Sequence, residues 1–413
     1  MSAILIKNIR QLVNTPAENN LLRGSRLSVL PCIDNAFLVV EDGLITGLGE
    51  MHELLHPEKQ FSKTIDATGQ LLLPCWCDSH THLVFASSRE EEFIDKIKGL
   101  SYADIAAKGG GILNSAAKLQ ASTESQLFNS AWKRLEEISK TGTGAVEIKS
   151  GYGLSVEGEL KMLRVIKKLK EKSPLIIRST FLGAHTYPAA YKDNHQGYID
   201  LIIQEMLPVI AREKLADYID VFCETGFFSQ AETITICKAG MALGLKPKIH
   251  ANQLHLSGGT QAGVALGALS VDHLETMDDD AIQALAASNT IGTLLPTAAF
   301  FLRMPFQPAR QLIEAGCAIA IATDYNPGSS PSGNMNLAAA MSCIQMKMLP
   351  EEVINAGTIN GAFAMEAEKE AGSLMIGKKA NLIFTKQVPS LAYLFYAFGN
   401  THIDKVMING EFI

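Results

Sequence analysis

Two histidines separated by one residue follow the most apolar early segment of the chain. They are His80 and His82 in the stretch LLLPCWCDSHTHLVFA, residues 71–86. Because successive side chains of a strand point to opposite faces, the two imidazoles lie on the same face if this stretch is a strand. A metal ion could then bind between their ring nitrogens. Taken alone, the His-x-His pattern fits an ordinary polar pair equally well.

The same stretch also carries two cysteines on either side of a tryptophan. A Cys-x-Cys pair beside two histidines could by itself form a compact zinc site. However, Cys75 and Cys77 come earlier on the predicted strand, and His82 lies roughly 16 Å beyond Cys77 along an extended chain. We therefore expect the cysteines and Trp76 to pack in the core, and the histidines to bind the metal. Asp78 is expected to be a structural or supporting partner of the site.

Polar residues also end a series of short apolar runs along the middle of the chain. Each of these residues can bind a metal ion or move a proton. The set comprises Glu147, Lys149, His185, Glu224, His250, His273 and Asp324. The runs are apolar almost throughout, which is typical of parallel strands covered on both faces. Helical patterns lie between them, for example at residues 155–172 and 229–244.

This strand-then-helix unit recurs as often as a (β/α)8 barrel requires. With the first stretch, strands are predicted at residues 144–151, 175–185, 218–226, 246–252, 268–275, 290–297 and 317–326. Side chains at the C-terminal ends of barrel strands converge on one mouth, so the polar residues would form a single cluster there. An open doubly wound sheet is the alternative, and it needs only some of these strands.

Both ends of the chain are β-rich. Residues 37–51 contain two short apolar runs joined by Asp42-Gly43, which is typical of a two-residue hairpin. The C-terminal segment contains ANLIFTK and KVMINGEFI, which also resemble strands. The predicted fold class is therefore α/β. A TIM-like (β/α)8 barrel of residues 71–372 is accompanied by a small composite β-sandwich domain of residues 1–70 and 373–413.

Four of the strand-end residues could form a metal site. His80, His82 and His250 with Asp324 supply three nitrogens and one carboxylate, which suits a borderline divalent ion with a position left for water. His273 is expected to orient and deprotonate that water without binding the metal, and Asp324 could shuttle a proton. The other histidines are expected to be structural: His52, His56, His195, His255 and His402.

Lys149 leaves two interpretations open. Its ammonium could order the mouth by pairing with a carboxylate. Alternatively, a carbamylated lysine could bridge two metal ions, as in some barrels with a two-metal site.

Composition narrows the class of protein. The chain has 413 residues, 47% of them hydrophobic, and a formal net charge of -7 without a long basic run, so a nucleic-acid partner is not expected. The N-terminus lacks the pattern of a signal peptide, and no run approaches the ~18 apolar residues of a membrane span. Seven cysteines, mostly within apolar segments, indicate reduced thiols and a cytoplasmic location.

Longer stretches resemble a known family. The motif Asp78-Ser79-His80-Thr81-His82, with His250, His273 and Asp324, resembles the metal-dependent amidohydrolase superfamily. Residues 371–382, AGSLMIGKKANL, resemble that superfamily's return from the barrel to its β-domain. Further stretches resemble the branch that opens the ring of 4-imidazolone-5-propanoate in histidine degradation: HTHLVFASSREEEF, VEIKSGYGL, FLGAHTYP, HANQL and ATDYNPGSSP.

The resemblance implies hydrolysis of the lactam C–N bond of 4-imidazolone-5-propanoate to N-formimidoyl-L-glutamate. It implies one metal ion per chain, either zinc or iron, in a divalent or trivalent state. It also implies a homodimer in the cytoplasm and a small anionic substrate as the partner. The implied metal ligands are His80, His82, His250 and Asp324. The implied catalytic residues are His273, Asp324 and His185, and the developing oxyanion would be stabilised by the metal or by His185. The implied substrate-binding residues are Arg89, Tyr152, His185, Gln253, Asn326, Gly328 and Ser329.

The substrate assignments agree with the chemistry of the residues. Arg89, in the loop after the first strand, could hold the substrate carboxylate in a bidentate contact. The turn at residues 326–329 is expected to offer backbone N–H groups and a hydroxyl to the substrate. Three positions depart from the superfamily pattern: Cys75 replaces a small residue, Asn381 an aspartate, and Gln253 a glutamate found in some members. The glutamine at position 253 leaves open how the ring nitrogens of the substrate would be held.

Three other functions are also compatible with these residues. The chain could be a heterocycle deaminase, which would release ammonia, or a two-metal cyclic amidase that uses Lys149. It could also be a non-catalytic barrel that acts as a scaffold. Such proteins tend to lose metal ligands, whereas His80, His82, His250 and Asp324 are all present.

Overall fold

The computed structural model describes residues 3–54, 61–100 and 110–413. Its strands form two eight-stranded sheets, one mixed and one parallel. In chain order the strands are β1 (Ala3–Val13), β2 (Cys32–Glu41), β3 (Leu44–Glu50), β4 (Lys63–Asp66), β5 (Leu71–Pro74), β6 (Trp76–Thr81), β7 (Thr143–Lys149), β8 (Ile176–Ala184), β9 (Tyr218–Cys223), β10 (Lys246–Ala251), β11 (Ser270–His273), β12 (Ile291–Leu294), β13 (Ile319–Ile321), β14 (Leu382–Thr385), β15 (Ile403–Ile408) and β16 (Glu411–Phe412).

The parallel sheet is a barrel. Strands β6 to β13 lie side by side in chain order, and each neighbouring pair is parallel. Residues just beyond β13 then return to β6: the Asp324 N–H donates to the His80 carbonyl at 3.0 Å, and the His82 N–H donates to the Tyr325 carbonyl at 2.9 Å. The predicted (β/α)8 barrel is therefore confirmed, and the open-sheet alternative is wrong.

Helices lie between the barrel strands and after the last of them, and one short helix lies between β14 and β15. They are α1 (Glu90–Ile97), α2 (Ile112–Ala121), α3 (Glu124–Lys140), α4 (Val156–Lys172), α5 (His195–Leu201), α6 (Leu207–Glu213), α7 (Gln230–Ala242), α8 (Gly259–Leu266), α9 (Asp279–Ala286), α10 (Pro296–Leu302), α11 (Ala309–Glu314), α12 (Met335–Ile344), α13 (Pro350–Gly357), α14 (Ile359–Phe363) and α15 (Tyr393–Tyr396). Among the described residues, no helix combines the length and the hydrophobicity needed to cross a membrane.

The sequence marks the ends of the two predicted helices. The Ser155 hydroxyl caps α4 by accepting the Gly158 N–H at 3.1 Å. The Ser229 hydroxyl caps α7, and Glu232 returns the contact by accepting the Ser229 N–H at 2.7 Å. Such caps, of which the one at α7 is a reciprocal capping box, satisfy N–H groups that a helix leaves unpaired at its start. The predicted segments 155–172 and 229–244 therefore agree with the observed helices to within about a turn.

The apolar stretch of residues 71–86 contains two strands rather than the one that was predicted. Strand β5 belongs to the mixed sheet, where it pairs with β1 and β14. Strand β6 begins the barrel. The change occurs between adjacent amides: the Cys75 N–H donates to Asn381 O at 3.0 Å, whereas the Trp76 N–H donates to Gly142 O at 2.9 Å. The hydrophobicity continues unchanged because both strands are buried, so the pattern did not reveal the break.

The mixed sheet brings both ends of the chain together. Its strand order is β16-β15-β14-β5-β1-β2-β3, with β4 paired to β1. The predicted hairpin joins β2 and β3, where Glu41 pairs with Leu44 and both Asp42 and Gly43 have positive φ. Its core combines N-terminal side chains such as Leu12 with C-terminal side chains such as Met407. The division at residues 70/71 and 372/373 stays a prediction.

Candidate active site

A cavity of about 470 Å3 opens at the C-terminal ends of the barrel strands. Its size suits a small-molecule substrate. All seven residues predicted to bind substrate line it, together with three of the four predicted metal ligands. The lining residues are His82, Arg89, Lys96, Ile112, Tyr152, His185, Phe222, Phe227, His250, Gln253, Leu254, His273, Leu302, Asp324, Asn326, Gly328 and Ser329. His80 lies deeper, fully buried beneath this set.

Three histidines and an aspartate converge at the floor of the cavity. The Nε2 atoms of His82 and His250 are 3.3 Å apart, and Asp324 Oδ1 lies 3.4 Å from His80 Nε2 and 3.5 Å from His82 Nε2. Ligand atoms placed 2.0–2.1 Å from a tetrahedral zinc ion would be about 3.4 Å apart. His80 Nε2 and Asp324 Oδ1 are buried, and no described residue forms a hydrogen bond with either atom. These donors fit a metal ion.

Two buried aspartates fix the orientation of two of these histidines. Asp272 Oδ2 lies 2.7 Å from His80 Nδ1, and Asp220 Oδ2 lies 2.9 Å from His250 Nδ1. A carboxylate accepts a hydrogen bond, so each Nδ1 carries the proton and each Nε2 keeps its lone pair for the metal. Burial holds the pKa of His80, His82 and His250 well below the usual histidine value, so all three imidazoles are neutral.

A group of buried charges lies beneath the histidines. The Lys149 ammonium contacts Glu147 Oε1 at 2.7 Å, Asp220 Oδ2 at 2.8 Å and Asp272 Oδ2 at 3.4 Å. Burial alone would lower its pKa, but these carboxylates outweigh that effect and raise it above the usual lysine range. Lys248 pairs with Glu147 and donates to the Ser79 carbonyl at 3.2 Å. Lys149 is therefore an ion-paired ammonium, which favours the first of its two predicted roles.

His273 lies at the same floor in an unusual backbone conformation. Its φ is +88°, a region that non-glycine residues seldom adopt and that is found at strained functional sites. Its Nδ1 lies 3.4 Å from Glu275 Oε1, which also accepts the Gln307 amide at 3.0 Å. Burial would lower the pKa of His273, but the Glu275 carboxylate outweighs it and raises the pKa above the ordinary value. The imidazole can therefore accept a proton readily.

Asp324 also has a positive φ, +53°. Burial raises the pKa of its carboxyl to about 7, although His273 and Asn326 oppose the shift. Its Oδ2 accepts the Ser329 hydroxyl at 3.4 Å, while Oδ1 faces the histidines. One oxygen can therefore bind a metal ion while the other takes part in proton transfer.

His185 forms one side of the cavity. Its ring stacks on His82 with centroids 5.2 Å apart, and Tyr152 lies against it at 5.7 Å. His185 Nδ1 is 3.1 Å from the Gly151 carbonyl, which can only accept a hydrogen bond. Burial lowers the pKa of His185 to about 4, so the ring is neutral and its Nε2 is an acceptor. A neutral ring in this tautomer cannot donate to an oxyanion.

The turn at residues 326–329 differs from the expected form. Asn326 Oδ1 accepts the N–H groups of Gly328 and Ser329 at 2.8 and 2.7 Å. Asn326 Nδ2 donates to the Asp324 carbonyl at 2.6 Å. The expectation that this turn offers its free backbone N–H groups to a substrate is therefore wrong, because the Asn326 side chain uses them to close the turn. The Ser329 side chain still lines the cavity.

Arg89 lies at the outer side of the cavity, and its position is fixed by neighbours. Its Nε donates to Glu92 Oε2 at 2.9 Å, and its terminal nitrogen also contacts that oxygen. Glu92 Oε1 in turn accepts the Gly111 N–H at 2.9 Å. The Arg89 guanidinium packs directly on Gly328, where a Cβ would overlap it. A second cation, Lys96, lies 3.4 Å from the Gly328 carbonyl, so this side of the cavity carries a net positive charge.

Gln253 reaches the cavity from the loop after β10. Glu224, at the end of β9, holds this loop by accepting the Leu254 N–H at 2.8 Å and the His255 N–H at 3.3 Å. Glu224, one of the polar residues predicted at the strand ends, thus positions the loop that carries Gln253. His255 itself contacts Glu224 Oε1 at 3.1 Å and is 60% exposed, which agrees with a structural role. His56 lies outside the described residues.

The cysteines are separate from the metal site. Cys75 and Cys77 are buried in the core, and Cys77 packs with Ala145 and Met365. Neither belongs to the clusters that could hold a metal ion among the described residues. Asp78 ties β6 to the residues after β13 by accepting the Thr323 hydroxyl at 2.6 Å and its N–H at 3.0 Å.

The roles of four charged residues were not predicted from the sequence: Asp220, Asp272, Glu275 and Lys248. Their only signal is a charged residue within an otherwise apolar strand or just after one. Such a residue must be paired because an unpaired charge in a barrel core would be costly, but the sequence does not indicate the partner.

Comparisons with known proteins identify the family. Residues 71–413 match the model of the amidohydrolase family. The chain is 54% identical over 410 residues to a protein named imidazolonepropionase from Flavobacterium johnsoniae, with 99% of each chain covered. It is 51% identical over 411 residues to an imidazolonepropionase from Christiangramia forsetii, covering 99% of this chain and 100% of that one.

A solved structure supports the same fold. A 5-methylcytosine deaminase from Klebsiella pneumoniae aligns with a TM-score of 0.73 at 16% identity, covering 99% of this chain and 97% of that one. At that identity the likeness establishes the fold alone. The matching relatives, in contrast, span nearly the full length of the chain. The chain is a hydrolase that belongs to the amidohydrolase family and, within it, to the imidazolonepropionases.

Proposed function

We propose that the chain hydrolyses the lactam C–N bond of 4-imidazolone-5-propanoate to give N-formimidoyl-L-glutamate. The observation that carries this proposal is the arrangement of one cavity: a three-histidine, one-carboxylate cluster at its floor and two cations at its outer side. A substrate with a ring amide and a propanoate chain matches both ends. The family of the chain supports the same substrate.

The metal would be held by His80, His82, His250 and Asp324, as one zinc or iron ion per chain. A bound ion of this kind supplies Lewis-acid chemistry that lowers the pKa of water toward neutrality. The neutral imidazoles and the oriented Nε2 lone pairs support this assignment. The ion-paired state of Lys149 supports a site for one ion rather than two, because carbamylation would require a neutral amine.

Proton transfer is assigned to His273 and Asp324. In this proposal the His273 imidazole, held by Glu275, takes a proton from the attacking water. Asp324 would share that role through the oxygen that does not face the histidines, and would give the proton to the leaving ring nitrogen, because a neutral amidine leaves more readily than its anion. Both side chains line the same cavity.

Substrate orientation is assigned to the cavity walls. Arg89, with Lys96 beside it, would bind the propanoate carboxylate. His185 Nε2 would accept a hydrogen bond from a ring N–H, which replaces the oxyanion role first expected for this residue. Tyr152 and Gln253 would contact the ring, and Ser329 would contact the carboxylate or the ring. Asn326 and Gly328 would shape the turn that faces the substrate.

Product analysis tests the proposal. The purified, metal-loaded chain is incubated with freshly prepared 4-imidazolone-5-propanoate in H2¹⁸O, and the product is examined by mass spectrometry. We expect N-formimidoyl-L-glutamate with one ¹⁸O in the new carboxylate and no free ammonia. Ammonia release would indicate a deaminase, and turnover no faster than spontaneous decay would contradict the proposed substrate. Two ions per chain would contradict the single-metal site.

We also propose a cytoplasmic location and a homodimer. Buried thiols support the first, since five of the seven cysteines are buried and none is in a disulfide in the described structure. Exposed aromatic side chains at Tyr396 and Phe398 support an interface near the C-terminal end of the chain. Light scattering of the purified chain measures the oligomeric state, and a monomer mass at micromolar concentration would contradict the dimer.

A further inference from the structure

A buried carboxylate at the start of α4 holds the loop that follows β7. The Glu159 side chain is fully buried. Its Oε2 accepts the Gly151 N–H at 3.0 Å, and its Oε1 accepts the N–H groups of Gly153 and Leu154 at 2.7 and 3.0 Å. Three of the four backbone N–H groups of residues 151–154 therefore point at one carboxylate. Converging N–H groups of this kind form a site for an anion, and here the chain itself supplies that anion.

This loop carries one residue assigned to the substrate and orients another. Tyr152, which is 3% exposed and lines the cavity, lies between two of the N–H groups that contact Glu159. The Gly151 carbonyl is 3.1 Å from His185 Nδ1, and the Nε2 of the same ring would accept a hydrogen bond from the substrate. Gly151 thus contacts Glu159 through its N–H group and His185 through its carbonyl. Glu159 is therefore connected to both cavity residues, although it is not among the described residues that line the cavity.

The conformation of the loop requires such an anchor. Leu154 has a φ of +47°, which is unfavourable for a residue with a side chain and persists only where surrounding contacts impose it. The loop also packs directly on the first turn of α4, since a Cβ at Gly153 would overlap the Glu159 backbone nitrogen. Without the carboxylate, three buried N–H groups would lose their acceptor, and the loop would have to move to find others.

We propose that Glu159 is a positioning residue for substrate binding, which holds residues 151–154 so that Tyr152 and His185 face the substrate ring at a fixed spacing. The proposal rests on the proposed function, because Tyr152 and His185 are assigned to the substrate there. It deepens that function, because the residues that set the affinity for the ring then include a carboxylate outside the cavity.

Steady-state kinetics with 4-imidazolone-5-propanoate test the role of this carboxylate. Glu159→Gln keeps the size of the side chain but places an amide N–H group against at least one backbone N–H group. We expect KM to rise about 10–100-fold, because small displacements of positioning groups have effects of up to this size. kcat should change much less, because His273 and Asp324, to which proton transfer is assigned, lie on other strand ends. Metal content should equal that of the wild type.

A double-mutant cycle separates positioning from a general loss of stability. If Glu159 acts through Tyr152 and His185, then Glu159→Gln should have almost no further effect on KM in a Tyr152→Phe/His185→Ala variant. A KM that rises by the same factor in both backgrounds would show that Glu159 acts by another route and would overturn the proposal. An unchanged KM for Glu159→Gln in the wild-type background would also overturn it.

A matched control is Glu352→Gln. Glu352 is another buried carboxylate at the start of a helix, α13, and it accepts the Leu349 N–H at 2.7 Å. Its ion-pair partner is Arg310, and neither residue lines the cavity. This variant should be less stable than the wild type and have an unchanged KM. A similar rise in KM for Glu352→Gln would show a general effect of losing a buried carboxylate and would overturn the proposal.

Hydrogen exchange followed by mass spectrometry gives a readout that needs no substrate. The amides of Gly151, Gly153 and Leu154 should exchange faster in Glu159→Gln than in the wild type, and at the wild-type rate in Glu352→Gln. Unchanged exchange in Glu159→Gln would overturn the proposal. A wild type that does not hydrolyse 4-imidazolone-5-propanoate, together with faster exchange in Glu159→Gln, would instead contradict the proposed function and leave the anchoring of the loop supported.

Glu159→Asp provides the test if Glu159→Gln does not fold. This variant keeps the charge but draws the carboxylate back by one methylene group, so its KM should lie between those of the wild type and Glu159→Gln. If only Glu159→Asp folds, a raised KM supports the proposal and a wild-type KM overturns it. If neither variant folds, the carboxylate is needed for folding of the barrel as a whole, and the proposal is overturned.

Discussion

At the scale of single residues, the sequence predicted the types and the meeting point of the chemical groups. His80 and His82 come from one strand end and His250 and Asp324 from two others, and three pairs of their ligand atoms lie 3.3 to 3.5 Å apart. The partners that orient them could not be predicted, since Asp220 and Asp272 contact histidines far away in sequence. Nor could the sequence predict the positive φ of His273, because tertiary contacts impose that conformation.

Arg89 gives a direct test of substrate binding. Arg89→Ala should raise KM about 10–100-fold, because a charge-assisted hydrogen bond contributes about 1.5–3 kcal/mol. Steady-state kinetics measure KM, and elemental analysis should show that Arg89→Ala contains as much metal as the wild type. Arg212→Ala is the control, since that side chain is 69% exposed and contacts Glu213; its KM should not change. An unchanged KM in Arg89→Ala would remove this residue from the substrate site.

His273 gives a test of proton transfer. His273→Asn should lower kcat about 100- to 10,000-fold while metal content and KM stay near those of the wild type. A protonated imidazole cannot accept a proton, so the wild-type kcat should fall as the pH drops through the raised pKa of His273, above the ordinary value of about 6.5. Exposed His52 provides the control, His52→Asn. A kcat of His273→Asn equal to that of the wild type would exclude His273 as the base.

At the scale of elements, hydrophobic runs and turn residues predicted most strands and helices. The hairpin at Asp42-Gly43 and the capped helices agree closely with prediction. The passage from β5 to β6 was missed because it occurs between two consecutive buried amides. The turn at residues 326–329 was located correctly, but its hydrogen bonds were not, since Asn326 uses the N–H groups that were expected to face the substrate.

The close packing of this turn on Arg89 predicts the effect of a single methyl group. In Gly328→Ala the new Cβ would overlap the Arg89 guanidinium and displace it from Glu92. We expect KM to rise toward the value of Arg89→Ala with little change in melting temperature. Gly399→Ala is the matched control, because a Cβ there meets nothing within 4 Å. Equal KM values for Gly328→Ala and Gly399→Ala would contradict the position assigned to Arg89.

At the scale of the whole molecule, the sequence predicted a barrel because the same strand-and-helix unit recurs along the chain. The residues after β13 close it against β6, which places Asp324 beside His80. The pairing of the two chain ends in one mixed sheet also agrees with their β-rich composition. The strand order within that sheet could not be predicted, since distant strands such as β5 and β14 become neighbours.

Because the metal ligands come together only when the barrel closes, metal binding should stabilise the fold. At a free metal concentration of 100 times Kd, the stabilisation is about 2.7 kcal/mol. Calorimetry should therefore show a melting temperature that falls by a few degrees after chelation and recovers when Zn²⁺ returns. Asp324→Asn, which loses a ligand charge, should show a smaller difference. An identical melting temperature with and without metal in the wild type would contradict binding at the barrel mouth.

Metal-dependent hydrolysis of the proposed substrate is tested most directly by one activity assay with three samples of the same protein. Freshly prepared 4-imidazolone-5-propanoate is mixed with the purified chain, with the chelated chain, and with the chelated chain after Zn²⁺ or Fe²⁺ is returned. Its loss is followed by ultraviolet absorbance against spontaneous decay. We predict rapid loss of the substrate with the purified chain, loss at the background rate with the chelated chain, and rapid loss again after the metal is returned. Loss at the background rate in all three samples would contradict the claim that this chain is a metal-dependent hydrolase of that substrate.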